Sequence, residues 1–227
     1  MNKEIIFSLM EKYEEYSSSN ITQVESGRSI SDNGPRLFVD YVKSFEDENI
    51  TEYYLNDDIA RNTRWDLWNN IINVFKEYDI KSNLDIGCTN NHFSFLCNKQ
   101  SIFSIGIDPR EDFLRSSYSV FKNSFGESKY GYIGNFKTFA EYFSKYDNMY
   151  DNVIFDCVTI LNVLHENDHI PTEIEGLFQT LPRITNKIII SEPDWSALNL
   201  PKFTGNYNLL CPIHNRVEHF LYDLRGN

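Results

Sequence analysis

The sequence is poor in the residues that build disulfide frameworks and metal centres. Four cysteines occur in 227 residues, at positions 88, 97, 157 and 211, and none has the Cys-x-x-Cys spacing. Two of them fall on predicted core elements, so buried thiols are favoured over disulfides or zinc ligands. The sequence therefore predicts no metal site.

Long apolar runs and an excess of basic charge are also missing. No stretch reaches the roughly 20 apolar residues of a membrane span, and residues 1–7 lack the apolar core of a signal peptide. The 33 acidic residues outnumber the 21 basic ones and give a net charge of −12, whereas binding to nucleic acid needs clustered lysine and arginine. We expect a cytoplasmic protein with a small-molecule substrate and no nucleic-acid or membrane partner; the oligomeric state stays open.

Aromatic residues, mainly Phe and Tyr, make up 15% of the chain and can supply a full core for a single α/β domain. Residues 1–75 are predicted to be a helical extension or cap, and residues 76–227 the α/β domain itself. Helical spacing covers residues 4–16, and a second helix is predicted from Pro35 through Phe45. A third helix, capped by Asp57 or Asp58, carries an apolar stripe formed by Ile59, Trp65, Trp68, Ile71, Ile72 and Phe75.

The most informative segment is residues 84–93, Leu-Asp-Ile-Gly-Cys-Thr-Asn-Asn-His-Phe, followed by Ile-Gly-Ile-Asp at residues 105–108. An apolar strand, a glycine turn, a helix and a second strand that ends in an acid about 20 residues later are typical of a nucleoside-binding βαβ unit. Asp108 suits a ribose because its two oxygens can accept hydrogen bonds from adjacent hydroxyls.

Only the first glycine of the usual G-x-G-x-G turn is present, at Gly87. Thr89 replaces the second glycine and, being β-branched, resists positive φ; Asn91 replaces the third and tolerates that conformation. The replacements leave open an alternative, a non-catalytic binding or scaffolding module with a degenerate cofactor motif. A nicotinamide-dependent oxidoreductase normally needs all three glycines and is disfavoured.

Three later segments follow in the order of a Rossmann-type sheet: a third strand and its exit loop at residues 132–136, a fourth strand at 150–158, and a fifth at 187–194. Together with the first two motifs, they resemble the class I S-adenosylmethionine-dependent methyltransferases over residues 80–195. The resemblance implies a Rossmann-like class I methyltransferase sheet, mostly parallel with an antiparallel last strand, and S-adenosylmethionine as cofactor, with S-adenosylhomocysteine as product. Two strands near the C-terminus, joined by a turn at residues 214–215, would complete the sheet.

The resemblance also implies roles for individual residues. Asp85 and the turn amides would hold the methionine end of the cofactor, Asp108 the ribose, and Asn135 and Phe136 the adenine. The predicted cofactor-binding set is Arg64, Asp85, Gly87, Cys88, Thr89, Asp108, Pro109, Asn135, Phe136 and Cys157. Core packing of Phe136, a helix cap at Asp108 and a solvated helix face at Arg64 are the alternatives. The N-terminal helices would form a lid, with simple packing on the sheet as an equal alternative.

Methyl transfer needs in-line alignment and, for a hydroxyl acceptor, removal of a proton. His165, after the fourth strand, is the candidate base because its pKa suits neutral pH; a histidine bonded to backbone at a helix start is the alternative. The Asn-Pro-Pro-Tyr signature of base-amine methylation is absent. We therefore expect a small polar or carbohydrate-like acceptor, and residue usage like that of AT-rich bacterial genomes suggests O-methylation in surface-glycan or secondary-metabolite synthesis.

Overall fold

The computed structural model describes most of the nucleotide-fold region and the N-terminal helix. The described residues are 3–21, 64–126, 128–145, 155–161, 171–191, 207–212 and 218–225. Within them lie six helices: α1 (Lys3–Asn20), α2 (Arg64–Glu77), α3 (His92–Lys99), α4 (Glu111–Phe125), α5 (Phe136–Lys145) and α6 (Pro171–Ile184). The same residues form seven strands: β1 (Ser82–Ile86), β2 (Phe103–Asp108), β3 (Gly131–Ile133), β4 (Phe155–Ile160), β5 (Thr185–Ser191), β6 (Tyr207–Pro212) and β7 (Glu218–Asp223).

The seven strands form one sheet in the order β3-β2-β1-β4-β5-β7-β6. Strands β1 to β5 are parallel, β7 runs antiparallel to β5, and β6 pairs antiparallel with β7. This confirms the predicted fold class, a mostly parallel Rossmann-like sheet with an antiparallel last strand. The strand order reverses between β1 and β4, which creates the crevice where open α/β sheets bind ligands.

Both faces of the sheet are covered, as a parallel sheet requires. Every residue of β1 and β2 is buried. On β5, Ile189 packs into one core cluster with α1, α5 and α6, while Ile188 and Ile190 pack into a second with α2 and α3. The alternation follows from the two-residue period of a strand, and it explains why the predicted strands are continuous apolar runs.

Helix α1 confirms the prediction for residues 4–16 and lies at the β3 edge of the sheet. Its Glu14 carboxylate accepts a hydrogen bond from the backbone N–H of Ile133 at 2.9 Å and also pairs with Lys129. Tyr13 is fully buried and lies against Gly134, where a Cβ atom would come within 1.8 Å of the Tyr13 Oη. The helix therefore completes the edge of the sheet instead of standing apart from it.

Helix α2 carries the predicted apolar stripe from Trp68 to Phe75 into the second core cluster. It runs through Glu77 and so spans the predicted boundary between residues 75 and 76. The predicted cap at Asp57 or Asp58 and the helix from Pro35 to Phe45 lie outside the described residues. A lid role for the N-terminal region stays a prediction. Among the helices that the structure describes, none has the length and apolarity needed to cross a membrane.

Candidate functional site

The carboxyl ends of β1, β2 and β4 meet at one edge of the sheet, where Ile86 pairs with Ile107 on one side and Ile160 on the other. The glycine turn leaves β1 at this edge. Gly87 has a φ of 78°, and its N–H donates to the Ile107 carbonyl at 2.8 Å. The turn is thereby bonded directly to the strand that carries Asp108.

Thr89 and Asn91, which replace the usual glycines, both take up the left-handed conformation, with φ of 49° and 62°. A β-branched residue in this region is strained. A partner offsets part of that strain, because the Thr89 N–H donates to the Asp108 Oδ2 at 2.8 Å. Thr89 and Asn91 therefore adopt the positive φ values that glycines would supply at these two positions.

Asn91 has a structural role that the sequence did not reveal. Its side chain is fully buried, and its Nδ2 donates to the Tyr130 carbonyl at 2.8 Å. A Cβ atom on Gly106 would lie 2.3 Å from the Asn91 Oδ1 and 2.5 Å from the Cys88 Sγ. The glycine of the second motif thus leaves room for the turn to lie across β2. A glycine inside an apolar strand was the available signal.

Asp85 lies on β1 beside Thr159 of β4, whose hydroxyl donates to the Asp85 Oδ1 at 2.9 Å. The carboxyl group is buried, and burial is the main cause that raises its pKa to about 7; the Thr159 hydrogen bond lowers the pKa, and the negative charge of Asp108 raises it. At neutral pH this carboxyl group can hold or release a proton. That property sets it apart from an ordinary surface aspartate.

A recess of about 40 Å³ opens in front of Asp85. Its described lining consists of Trp68, Asp85, Gly87, Cys88, Thr89, His92, Phe93 and Leu161. Four of these are predicted cofactor-binding residues, whereas the other four, Trp68, His92, Phe93 and Leu161, were not predicted to belong to the site. The signal for His92 and Phe93 was their position at the start of the helix that follows the turn. Sites for drug-sized ligands occupy several hundred cubic ångströms, so the recess that these residues line is smaller than a whole nucleoside site.

Asp108 ends β2 and is only 1% exposed. Besides the Thr89 N–H, its carboxylate accepts the backbone N–H of Arg110 at 3.0 Å and two guanidinium bonds, Nε to Oδ1 at 2.9 Å and Nη2 to Oδ2 at 3.2 Å. Pro109 lies between the two paired residues. The carboxylate lies at the predicted place, the end of the second strand, and its pairing with Arg110 was not predicted from the sequence.

Asn135 and Phe136 follow β3 at the start of α5. The Asn135 Oδ1 accepts the Thr138 N–H at 2.9 Å, and the Thr138 hydroxyl accepts the Asn135 N–H at 3.1 Å, which is the reciprocal pattern of a capping box. Phe136 is 6% exposed and belongs to the first core cluster. Core packing is thus the arrangement seen for Phe136, and the adenine contacts of both residues stay predictions.

Of the three remaining predicted residues, the structure describes the side chain of Cys157 only, and Cys157 does not line the recess. Cys157 is fully buried on β4 opposite Asn83, within the second core cluster, and burial raises the pKa of its thiol. Arg64 is the first residue of α2, and its side chain lies outside the described part of the structure. His165 also lies outside the described residues. Among those that are described, no group of His, Cys, Asp and Glu side chains is placed to hold a metal ion.

No family model matches the chain, and no curated protein matches it by sequence. Solved structures do match at low identity. PH0226 from Pyrococcus horikoshii OT3 shares 14% identity at a TM-score of 0.55, over 75% of this chain and 93% of that one.

Two further structural neighbours match, and the name of one of them states a function. Magnesium protoporphyrin IX methyltransferase from Synechocystis PCC 6803, solved with bound S-adenosylmethionine, is 11% identical at a TM-score of 0.50, over 86% of this chain and 98% of that one. WbdD is 16% identical at a TM-score of 0.51, over 69% of this chain and 35% of WbdD. This chain therefore spans about a third of the length of WbdD. At such identities the likeness concerns the fold. The sheet order and these neighbours show that the chain has the fold of the class I S-adenosylmethionine-dependent methyltransferases.

Proposed function

We propose that this protein is a methyltransferase that takes its methyl group from S-adenosylmethionine. The observation that carries the proposal is the placement of Asp108, a buried carboxylate at the carboxyl end of β2 that is bonded to the glycine turn after β1. In folds of this kind the crevice at the reversal of strand order binds the ligand, and an acid at this position bonds ribose hydroxyls. The neighbour solved with S-adenosylmethionine supports this choice of cofactor.

The described residues fit such a cofactor in their chemistry. Asp108 supplies two acceptor oxygens for a diol, and the Gly87 turn has no Cβ atom to hinder close approach of a ligand to the backbone. Asp85 faces the recess beside the turn and offers a carboxyl group to the cationic end of a methionine moiety. When bound, the cofactor supplies an activated methyl group on a sulfonium.

For the acceptor, we propose a small polar or carbohydrate-like molecule that is methylated on oxygen. The residues of this chain would align its nucleophile with the methyl group, which is the main contribution an enzyme makes to such a transfer. His165 is the proposed base that accepts the hydroxyl proton, because it follows β4 in the sequence and β4 ends beside the end of β1. The net charge of −12 favours this class of acceptor over nucleic acid.

One observation favours a second candidate, a non-catalytic module on the same fold. The Asp108 carboxylate already accepts four N–H groups, and the recess is small. The two candidates differ in a measurable property, since a module that has lost its cofactor does not bind S-adenosylhomocysteine.

Titration calorimetry with S-adenosylhomocysteine tests the proposal on the wild type and on the Asp108→Ala and Asp108→Asn variants. The wild type should bind, and Asp108→Ala should weaken binding by on the order of 100-fold, because two charge-assisted hydrogen bonds are lost. Asp108→Asn should lose less, since its amide oxygen still accepts one bond.

Asp223→Ala is the matched control, because Asp223 also ends a strand and pairs with an arginine two residues later. Asp223 pairs with Ile188, which pairs in turn with Cys157 of β4, and Cys157 pairs with Asn83 near the start of β1. Asp223 therefore lies toward the edge of the sheet opposite the glycine turn. Circular dichroism should show that all variants fold. Equal affinities for the wild type and the two Asp108 variants would mean that the nucleoside does not bind at β2, and no binding by the wild type would favour the second candidate.

A further inference from the structure

The hydrogen bonds of Asp108 leave no place for a ribose. An ionised carboxylate has about four acceptor positions. In this structure Oδ1 accepts the backbone N–H and the Nε of Arg110, and Oδ2 accepts the Thr89 N–H and the Arg110 Nη2. Two ribose hydroxyls can bond to Asp108 only after two of these donors have left.

The four donors differ in how readily they can leave. The N–H groups of Thr89 and Arg110 belong to the backbone of the glycine turn and of the residue before α4, so losing them would require both segments to rearrange. Breaking the guanidinium bonds to Asp108 requires a side chain to move and does not require the backbone to rearrange. The Arg110 side chain is 33% exposed, whereas that of Asp108 is 1% exposed, and its guanidinium lies 4.3 Å from the centre of the Phe113 ring. The arginine is thus the partner that can rotate toward solvent.

We propose that the Arg110 guanidinium occupies the acceptor positions that the cofactor's ribose hydroxyls need, so that Arg110 must leave Asp108 before the nucleoside binds and thereby lowers the affinity for the cofactor. The inference rests on the proposed function. The two bonds that Arg110 gives up match the two that a diol provides. On binding, the ribose hydroxyls replace the Arg110 guanidinium as donors to the Asp108 carboxylate. The larger the fraction of free protein in which the Asp108–Arg110 pair is formed, the lower the apparent affinity for the cofactor.

A second pair, Asp223 and Arg225, has the same local hydrogen bonds as Asp108 and Arg110. Comparing the two pairs shows which features are particular to Arg110. Arg225 bonds to Asp223 through its backbone N–H, Nε and Nη2 and lies over the Tyr78 ring at 4.1 Å. That pair lies at the opposite edge of the sheet, and the Asp223 side chain is 22% exposed. Only the Asp108 pair is joined to the glycine turn, through the Thr89 N–H. The hydrogen-bond pattern is therefore shared by both pairs, and it is the position of the Asp108–Arg110 pair beside the glycine turn that gives Arg110 its role in binding.

Calorimetry with S-adenosylhomocysteine on Arg110→Ala and Arg225→Ala tests the inference. Arg110→Ala should bind about three- to tenfold more tightly than the wild type, because the competing ion pair is partly exposed and of modest strength. Arg225→Ala should bind like the wild type. Without ligand, Arg110→Ala should unfold at a lower temperature, since Asp108 loses two donors. A purely structural role for Arg110 would lower the stability and the affinity together.

A double variant identifies the route of the effect. In an Asp108→Asn background the guanidinium no longer competes for an ionised carboxylate, so adding Arg110→Ala should change the affinity less than twofold. An equal gain in both backgrounds would mean that Arg110 acts by obstructing the site, which overturns the inference. Unchanged or weaker binding by Arg110→Ala, with a wild type that binds, also overturns it and leaves the proposed function intact. If neither the wild type nor Arg110→Ala binds, the proposed function fails and the inference fails with it.

Discussion

Replacing Asp85 by asparagine should make the protein more stable at pH 8 than the wild type. The folded pKa of Asp85 is about 7, well above its ordinary value of 3.8, because the group is buried. A carboxyl group with a raised folded pKa contributes stability below its unfolded pKa, and that contribution is lost as the pH rises through the folded pKa. Asparagine cannot ionise, and its amide oxygen can still accept the Thr159 hydroxyl.

The magnitude follows from linkage. Between the two pKa values the wild type loses about 1.4 kcal/mol of unfolding free energy for each pH unit. From pH 5.5, above the range in which ordinary carboxylates titrate, to pH 8, the advantage of Asp85→Asn should grow by about 2 kcal/mol. The thiols of Cys88 and Cys97, which also interact with Asp85, stay neutral in this window because burial raises their pKa well above the ordinary value.

Urea unfolding at five pH values between 5.5 and 8, followed by circular dichroism, measures this difference. Subtracting the wild-type curve from the Asp85→Asn curve removes the titration of the groups that both proteins share. A difference that stays constant with pH, or that shrinks as the pH rises, would refute the raised pKa of Asp85.

Two glycines test the packing of the site and of α1. Gly106→Ala should destabilise the protein by about 1 to 3 kcal/mol in urea unfolding, because its Cβ would overlap the side chains of Asn91 and Cys88. Gly176→Ala in α6, where the nearest atom is 3.4 Å away, is the control and should be neutral or stabilising by up to about 1 kcal/mol; equal losses in the two variants would contradict the overlap. Gly134→Ala should displace Tyr13, because its Cβ would overlap the Tyr13 hydroxyl, and should speed amide hydrogen exchange in α1 relative to α3. Unchanged exchange would show that Tyr13 moves aside without destabilising α1.

The sheet was predictable because its strands are buried on both faces. Such strands are continuous apolar runs, and the acids or glycines that end them mark the ligand edge. The positions of Asp85, Gly87 and Asp108 followed from this pattern and were confirmed, while their roles in binding stay predictions. The antiparallel pairing of β6 with β7 was predictable from a different pattern, since two apolar segments with a short polar turn between them favour a hairpin.

The roles of individual polar residues were less predictable, because one residue type serves several purposes. Asn135 lies just before a helix. An asparagine at such a position can serve either as a helix cap or as a ligand contact, so the sequence does not distinguish the two roles. Thr89 was expected to resist positive φ, yet the bond from its N–H to Asp108 accompanies that conformation. The contact between Tyr13 and Gly134 joins residues far apart in the chain, and no local pattern announces it.

The docking of α1 has a consequence for the order in which the chain folds. The Tyr13 hydroxyl bonds to Thr138, 125 residues further along the chain, so α1 is synthesised long before its binding surface exists. Contacts of such sequence separation close large loops and slow folding. Until β3 and α5 emerge from the ribosome, the apolar side chains of Ile6, Leu9 and Met10 lack part of the core cluster in which they are buried. Of the described helices, α1 is therefore synthesised first, and its contact with Thr138 forms only after residue 138 has been made.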